Sequence, residues 1–187
     1  KLDEPFTPDR YPLHFVPTQE ERNWIDKRLA THDITPEQLV VVIHPGTGAA
    51  VKLWRNEAWS QCANSINAPY PSSPQIHVVL TGSQSERPIL EEIAHGMKTP
   101  PLLLSDMTIG QLAAMLARAL CVLGVDSGPL HLAVAQNTRT LQLFGPTDDR
   151  IFGPWGAPEQ HIVIRATQKC PGCPALPCGR LDFGPEE

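Results

Sequence analysis

The run Val125-Asp126-Ser127-Gly128-Pro129-Leu130-His131-Leu132-Ala133 sets an acid, a hydroxyl, a proline and an imidazole between two apolar stretches, residues 119–125 and 141–144. A buried strand, a sharp polar turn and a helix start follow one another there without slack, which is the setting in which anions bind. Asp126 or Ser127 can cap the helix with a side-chain oxygen, and Pro129 has the φ angle and the missing donor of a first helical turn. Free amides at that end, together with the helix dipole, suit a phosphate or diphosphate. His131 would sit within the same turn, close to the same anion. Asp-Ser-Gly-Pro is also an ordinary turn, so the turn alone does not decide between structure and function.

A second loop offers matching chemistry. His44-Pro45-Gly46-Thr47-Gly48 supplies small residues and the Thr47 hydroxyl, and Lys52 stands where a flexible ammonium could reach a phosphate. On spacing alone Lys52 reads as a solvated surface lysine. Ala49-Ala50-Val51 after Gly48 breaks any Gly-x-Gly-x-x-Gly, and no Gly-x4-Gly-Lys-[Ser/Thr] exists, which removes the main support for a dehydrogenase and for a P-loop kinase or ATPase.

The elements that must hold these loops are legible. Thr18 and Glu21 form a capping box opening a helix to about residue 31. Strands follow at residues 39–43, 76–80, 102–104, 121–125 and 141–144, with a further one at 162–164, and amphipathic helices intervene near 56–67, 85–97, 108–117 and from 129. Near-continuous apolar strands alternating with helices specify a parallel sheet covered on both faces, an α/β Rossmann-like fold. Ligands of such sheets lie beyond the carboxyl ends of the strands, and every polar turn falls there: 44–48, 81–82, 105–107, 126–131 and 145–148.

Composition bounds the class. The chain has 187 residues, a net charge of −5 and no basic stripe, which argues against a nucleic-acid partner. No apolar run approaches the roughly 20 residues needed for a transmembrane segment, and Lys1-Leu2-Asp3-Glu4-Pro5 does not resemble a signal peptide, so the chain reads as cytoplasmic. Residues 1–17 look like an extended linker that begins mid-protein.

Taken together, His44-Pro45-Gly46-Thr47-Gly48 with Lys52-Leu53-Trp54, Val79-Leu80-Thr81-Gly82 with Glu86, the Asp126 to Ala133 run and Phe144-Gly145-Pro146-Thr147-Asp148 resemble the C-terminal half of glycosyltransferase family 9, which includes the ADP-heptose:lipopolysaccharide heptosyltransferases. The match spans residues 39–155 in the expected order. It implies a two-domain GT-B enzyme of which this chain is the donor half: a linker and helix at 1–38, a Rossmann-like nucleotide-sugar-binding domain at 39–165, and a Cys/Pro-rich tail at 166–187. The donor implied is an ADP-sugar, and the acceptor a lipopolysaccharide core met by the absent N-terminal domain. If that acceptor is lipid-linked, the enzyme works at the inner face of the cytoplasmic membrane.

Carried over residue by residue, the resemblance puts Thr47, Gly48 and Lys52 at the diphosphate or donor sugar, Met107 beside the adenine, and Asp126, Ser127, Gly128 and His131 at the diphosphate and sugar. Glu86, or Gln84, matches the ribose-binding acid. The family's catalytic base is a carboxylate of the other half, so none is named here, and the isolated chain is expected to bind donor weakly and turn over nothing. Residues 48–52 lack the extra basic residues common in the family, and Leu53-Trp54-Arg55 departs from its usual pattern, which leaves the donor sugar open.

An inverting transfer needs the departing diphosphate stabilised by positive charge and amide dipoles. Lys52, the amides at Gly128 to Leu130 and a protonated His131 would do so without a metal or other cofactor. Asp126 would repel a diphosphate, so it either accepts from amides or a sugar hydroxyl, or simply caps the helix. Asp148-Asp149 reads as a turn cap. Cys170, Cys173 and Cys178 suggest a zinc knuckle with His161 or a missing downstream residue as the fourth ligand, but unpaired thiols are favoured because only three ligands are visible. Two other functions fit the same pattern: a non-catalytic nucleotide-sugar-binding module, and a hydrolase or epimerase in which Asp126 and His131 act chemically.

Overall fold

The computed structural model describes residues 6–68 and 74–167. Its strands are β1 Leu39–His44, β2 Ile76–Thr81, β3 Leu102–Leu104, β4 Cys121–Val125, β5 Arg139–Phe144 and β6 His161–Arg165. They make one parallel sheet in the order β3-β2-β1-β4-β5-β6. The helices are α1 Gln19–Ala30, α2 Asn56–Ile66, α3 Arg87–His95, α4 Ile109–Arg118, α5 Gly128–Ala135 and the short α6 Asp149–Phe152. The α/β, Rossmann-like reading of the sequence is the architecture found.

Strand alternation builds two cores. Val40 and Val42 of β1 face one side with Leu104, Val122, Ile25 and Leu29 of α1, Met115 and Leu116 of α4 and Leu130 of α5. Val41 and Ile43 face the other with Val78, Leu80, Trp59 and Ala63 of α2, and Leu90 and Ile93 of α3. Burying each such side chain contributes about 1.5–3 kcal/mol, so β1, central and apolar on both faces, anchors the sheet. Side-chain caps fix two helix starts: Glu21 N–H donates to Thr18 Oγ1 at 3.3 Å, and Gln111 N–H donates to Thr108 Oγ1 at 3.2 Å.

The described part of the N-terminal segment, residues 6–17, forms no helix or strand and is tied down by side chains. Phe6 and Tyr11 stack at 4.4 Å, and the Trp155 indole N–H donates to the Tyr11 carbonyl at 2.7 Å. Among the described residues no helix is long and apolar enough to cross a membrane.

The strand order matters for function. The chain runs outward from β1 to β3, returns through α4, and resumes at β4 on the other side of β1. The carboxyl ends of β1 and β4 therefore flank the point where the order reverses, and the crevice of such a sheet opens there. Gly124 on β4 permits the close approach: a Cβ would stand 2.6 Å from the His44 carbonyl oxygen and 2.5 Å from Leu130 Cδ2.

Candidate functional site

A cleft of about 290 Å³ lies at that reversal, lined by His44, Gly46, Thr47, Gly48, Gly82, Ser83, Glu86, Met107, Thr108, Ile109, Leu112, Ser127, Gly128 and Pro129. Loops from four strands meet in it: after β1, β2, β3 and β4. Of the residues singled out in the sequence, Thr47, Gly48, Glu86, Met107, Ser127 and Gly128 share this lining.

Lys52 and Asp126 sit beside it. A single 3₁₀ turn, Ala50–Lys52, carries the lysine over the end of β4, where Nζ is 2.7 Å from Asp126 Oδ2. The lysine side chain is 19% exposed and the aspartate 6%, so Lys52 is not the solvated surface residue that its spacing suggested. Thr147 Oγ1 donates to the same Oδ2 at 2.8 Å, and Thr47 Oγ1 donates to the Asp126 carbonyl at 3.1 Å. Three loops are thus closed on one residue.

This network corrects the capping expectation. No side chain caps α5: Ser127 occupies the N-cap position in extended backbone without a side-chain cap bond, and Asp126 is turned away to Lys52 and Thr147. Ser127 Oγ is buried with no partner among the described residues. The amide reading narrows as well. Pro129 has no N–H, and that of Leu130 donates to the Ser127 carbonyl at 3.1 Å. Among the described residues no acceptor engages the Gly128 amide. Among the described residues the unmet donors at this helix start thus include the Ser127 hydroxyl and the Gly128 amide, and nothing lies within 4 Å of where a Gly128 Cβ would stand.

His131 is placed differently. It is the fourth residue of α5, half-buried, and absent from the cleft lining.

Glu86 closes the cleft on the β2 side. Its Oε2 accepts from the Ser83 amide and hydroxyl, each at 2.7 Å. Gln84, the other register considered, begins the same 3₁₀ turn but is exposed and does not line the cleft. Beneath Glu86, His44 shares a hydrogen bond of 3.0 Å between Nδ1 and Thr81 Oγ1. Burial holds its imidazole down at about 4, against a smaller upward pull from the Glu86 carboxylate, so it is neutral near pH 7. A neutral ring lets the cleft keep an acid without a competing buried cation.

Sequence reasoning missed three contributors. Thr147 lies in the Phe144-Gly145-Pro146-Thr147 motif, and its place at the end of the strand beside β4 was the available signal. Ser83 carried a local signal, the capping-box spacing Ser83-x-x-Glu86, whereas His44 gave none, since its role depends on which strands are neighbours.

Asp148 caps α6 as expected, accepting from Arg150 N–H at 3.0 Å, while Asp149 pairs with Arg165. Arg150 and the cap hold Asp148 at about 2. His161, the suggested fourth zinc ligand, is buried with Nδ1 bonded to Thr140 Oγ1 at 3.1 Å. Cys170, Cys173 and Cys178 lie outside the described residues. Burial pushes the thiols of Cys62 and Cys121 up, which makes both poor nucleophiles. A larger cavity of about 540 Å³ lies at the amino end of the sheet, lined by α1 and the loop before β1. Its one guanidinium, Arg118, donates to the carbonyls of Thr35, Pro36 and Gln38, so it offers a ligand little polar purchase.

Comparison with known proteins fits this geometry. The chain is 35% identical over 122 residues to lipopolysaccharide heptosyltransferase 3 of Escherichia coli, covering 63% of this chain and 34% of that protein. It thus spans about a third of the length of the curated relatives it matches. The crystal structure of a glycosyl transferase family 9 protein from Veillonella parvula superposes with a TM-score of 0.75 at 22% identity, covering 82% of this chain and 42% of that one. The E. coli heptosyltransferase WaaC with ADP superposes at 0.60 with 26% identity, covering 76% and 42%. The model of glycosyltransferase family 9 (heptosyltransferase) matches residues 11–175, and this chain, with its cleft at the β1/β4 reversal, belongs to that family.

Proposed function

We propose that this chain is the donor-binding half of an inverting, metal-independent glycosyltransferase that transfers heptose from ADP-heptose to a lipopolysaccharide core acceptor. The observation that carries the reading is the start of α5, where Ser127 Oγ and the Gly128 amide have no protein partner among the described residues and both residues line a cleft shared with Glu86. Two unmet donors at the positive end of a helix suit a diphosphate. Met107, Ile109 and Leu112 give the same cleft an apolar wall for a flat base. Similarity to heptosyltransferases solved with ADP and with ADP-2-deoxy-2-fluoro heptose supports a donor of this kind.

The Lys52–Asp126 pair refines the division of labour. An ammonium already neutralised by a carboxylate at 2.7 Å is a weak counter-charge for a phosphate. The pair instead presents donors and an acceptor together, which suits sugar hydroxyls, and Thr147 fixes the orientation of the carboxylate. Stabilisation of the leaving diphosphate then falls mainly to the α5 start, with Lys52 next to it. The hydrolase or epimerase alternative needs Asp126 and His131 to act on one substrate, and no hydrogen bond or ion pair joins them.

On this reading acceptor binding and the catalytic base fall to the acceptor half of the two-domain enzyme, and a lipid-linked acceptor would place transfer at the inner face of the cytoplasmic membrane. Calorimetric titration of ADP, UDP and GDP into the 187-residue chain tests the donor. ADP binds preferentially on this reading; preference for UDP or GDP, or no binding of any of the three, overturns it. Sugar transfer by the chain alone would overturn the assignment of the base to the other half.

A further inference from the structure

Glu86 is held on one side only. Ser83, N-cap of the 3₁₀ turn Gln84–Glu86, gives both its amide and its hydroxyl to Oε2 at 2.7 Å. Oε1 has no hydrogen-bond donor among the described residues, and it lies directly against Gly46 of the β1 loop. A Cβ at Gly46 would stand 2.0 Å from Oε1 and 2.4 Å from the carboxyl carbon. Any other residue at 46 would therefore drive the carboxylate out of its place. The clash is with the flexible tip of a side chain, not with backbone, and the φ of Gly46 is not in the left-handed region, so the fold itself does not require glycine there.

We propose that Gly46 and Ser83 are positioning residues that preset the Glu86 carboxylate as a ribose reader: Ser83 anchors Oε2, and the missing side chain at 46 leaves the space in which Oε1 reaches the cleft. The inference rests on the nucleotide-donor reading above. Its chemistry is that of a charged acceptor fixed before the ligand arrives, so that a ribose hydroxyl meets an oriented oxygen and the side chain has no freedom left to lose on binding. A carboxylate also rejects a phosphate on the same sugar by like-charge repulsion. The apolar wall of Met107, Ile109 and Leu112 in the same cleft leaves the carboxylate as the feature that reads the sugar rather than the base.

The test is calorimetric titration of the 187-residue chain and its variants with ADP, 2′-deoxy-ADP and 3′-deoxy-ADP, with thermal melting run alongside. The unsubstituted chain binds ADP about ten-fold or more tightly than the analogue that lacks the bonded hydroxyl, as expected for a hydrogen bond to a charged group. Gly46→Ala collapses that ratio toward one while the melting temperature holds; Ser83→Ala, which removes the hydroxyl but leaves the amide on Oε2, narrows it, and Ser83→Thr, which keeps the hydroxyl, restores it. A Gly46→Ala or Ser83→Ala chain that still discriminates like the parent overturns the inference and leaves the donor reading intact. A parent that does not bind ADP overturns both. If Gly46→Ala lowers the melting temperature, the Ser83→Ala and Ser83→Thr pair decides.

Discussion

Replacing Lys52 with methionine isolates the cost of the ion pair beside the cleft. Methionine keeps most of the aliphatic stem but removes the ammonium, leaving a carboxylate whose side chain is only 6% exposed. Removing one partner of a fully buried pair costs about 3–5 kcal/mol. Two features reduce that here. Lys52 is 19% exposed, so water can enter where the ammonium was, and Thr147 still donates to Oδ2 at 2.8 Å. The expected loss is about 2 kcal/mol, which for a chain of this size lowers the melting temperature by about 4–8 °C. Urea unfolding of Lys52→Met, Asp126→Asn and the double variant measures it. The double variant should be more stable than the summed single losses by about 1 kcal/mol, because the second substitution removes the charge that the first left unpaired. A Lys52→Met chain within about 0.5 kcal/mol of the parent, or strict additivity in the cycle, would refute the claim that the pair is a buried coupled unit.

Three other outcomes follow from the same geometry. Gly124→Ala should lose about 2–3 kcal/mol in denaturant unfolding, since its methyl group meets the His44 backbone oxygen at 2.6 Å and β1 cannot retreat; a neutral result would mean the β1–β4 spacing is softer than described. His44 titrates lower when folded, at about 4 against an ordinary value of 6.5, so its contribution to stability is complete above pH 6.5 and is lost as pH falls toward 4, and His44→Asn should flatten the melting temperature across that window. Gly128→Ala points a methyl group into open space at the α5 start, so its melting temperature should stay at the parent value while ADP binding weakens at least about ten-fold, with unchanged binding counting against the anion site.

Periodicity was enough to read the architecture. Continuous apolar strands and the Thr18 and Thr108 helix starts are local features, and local chemistry decides them. The site was legible as a set of loops but not as a set of bonds. Asp126 was expected to cap α5 or meet a ligand because those are the partners within reach along the chain; its real partners are 74 residues upstream and 21 residues downstream. Only the adjacency of β1, β4 and β5 brings them together, and strand order is not written in any short window. The 3₁₀ turn that swings Lys52 inward has no side-chain cap, so nothing local announced it.

The reversal of strand order also has a kinetic consequence. The β1, β2 and β3 units are sequential neighbours and can assemble from short-range connections, but the Lys52–Asp126 closure spans 74 residues and waits for β4 to dock on the far side of β1. Such a long loop is slow to close and late to be rewarded. A half-assembled chain would hold Glu86 without the α5 start, so nucleotide added during refolding should leave the folding rate almost unchanged and act instead by slowing escape from the finished state.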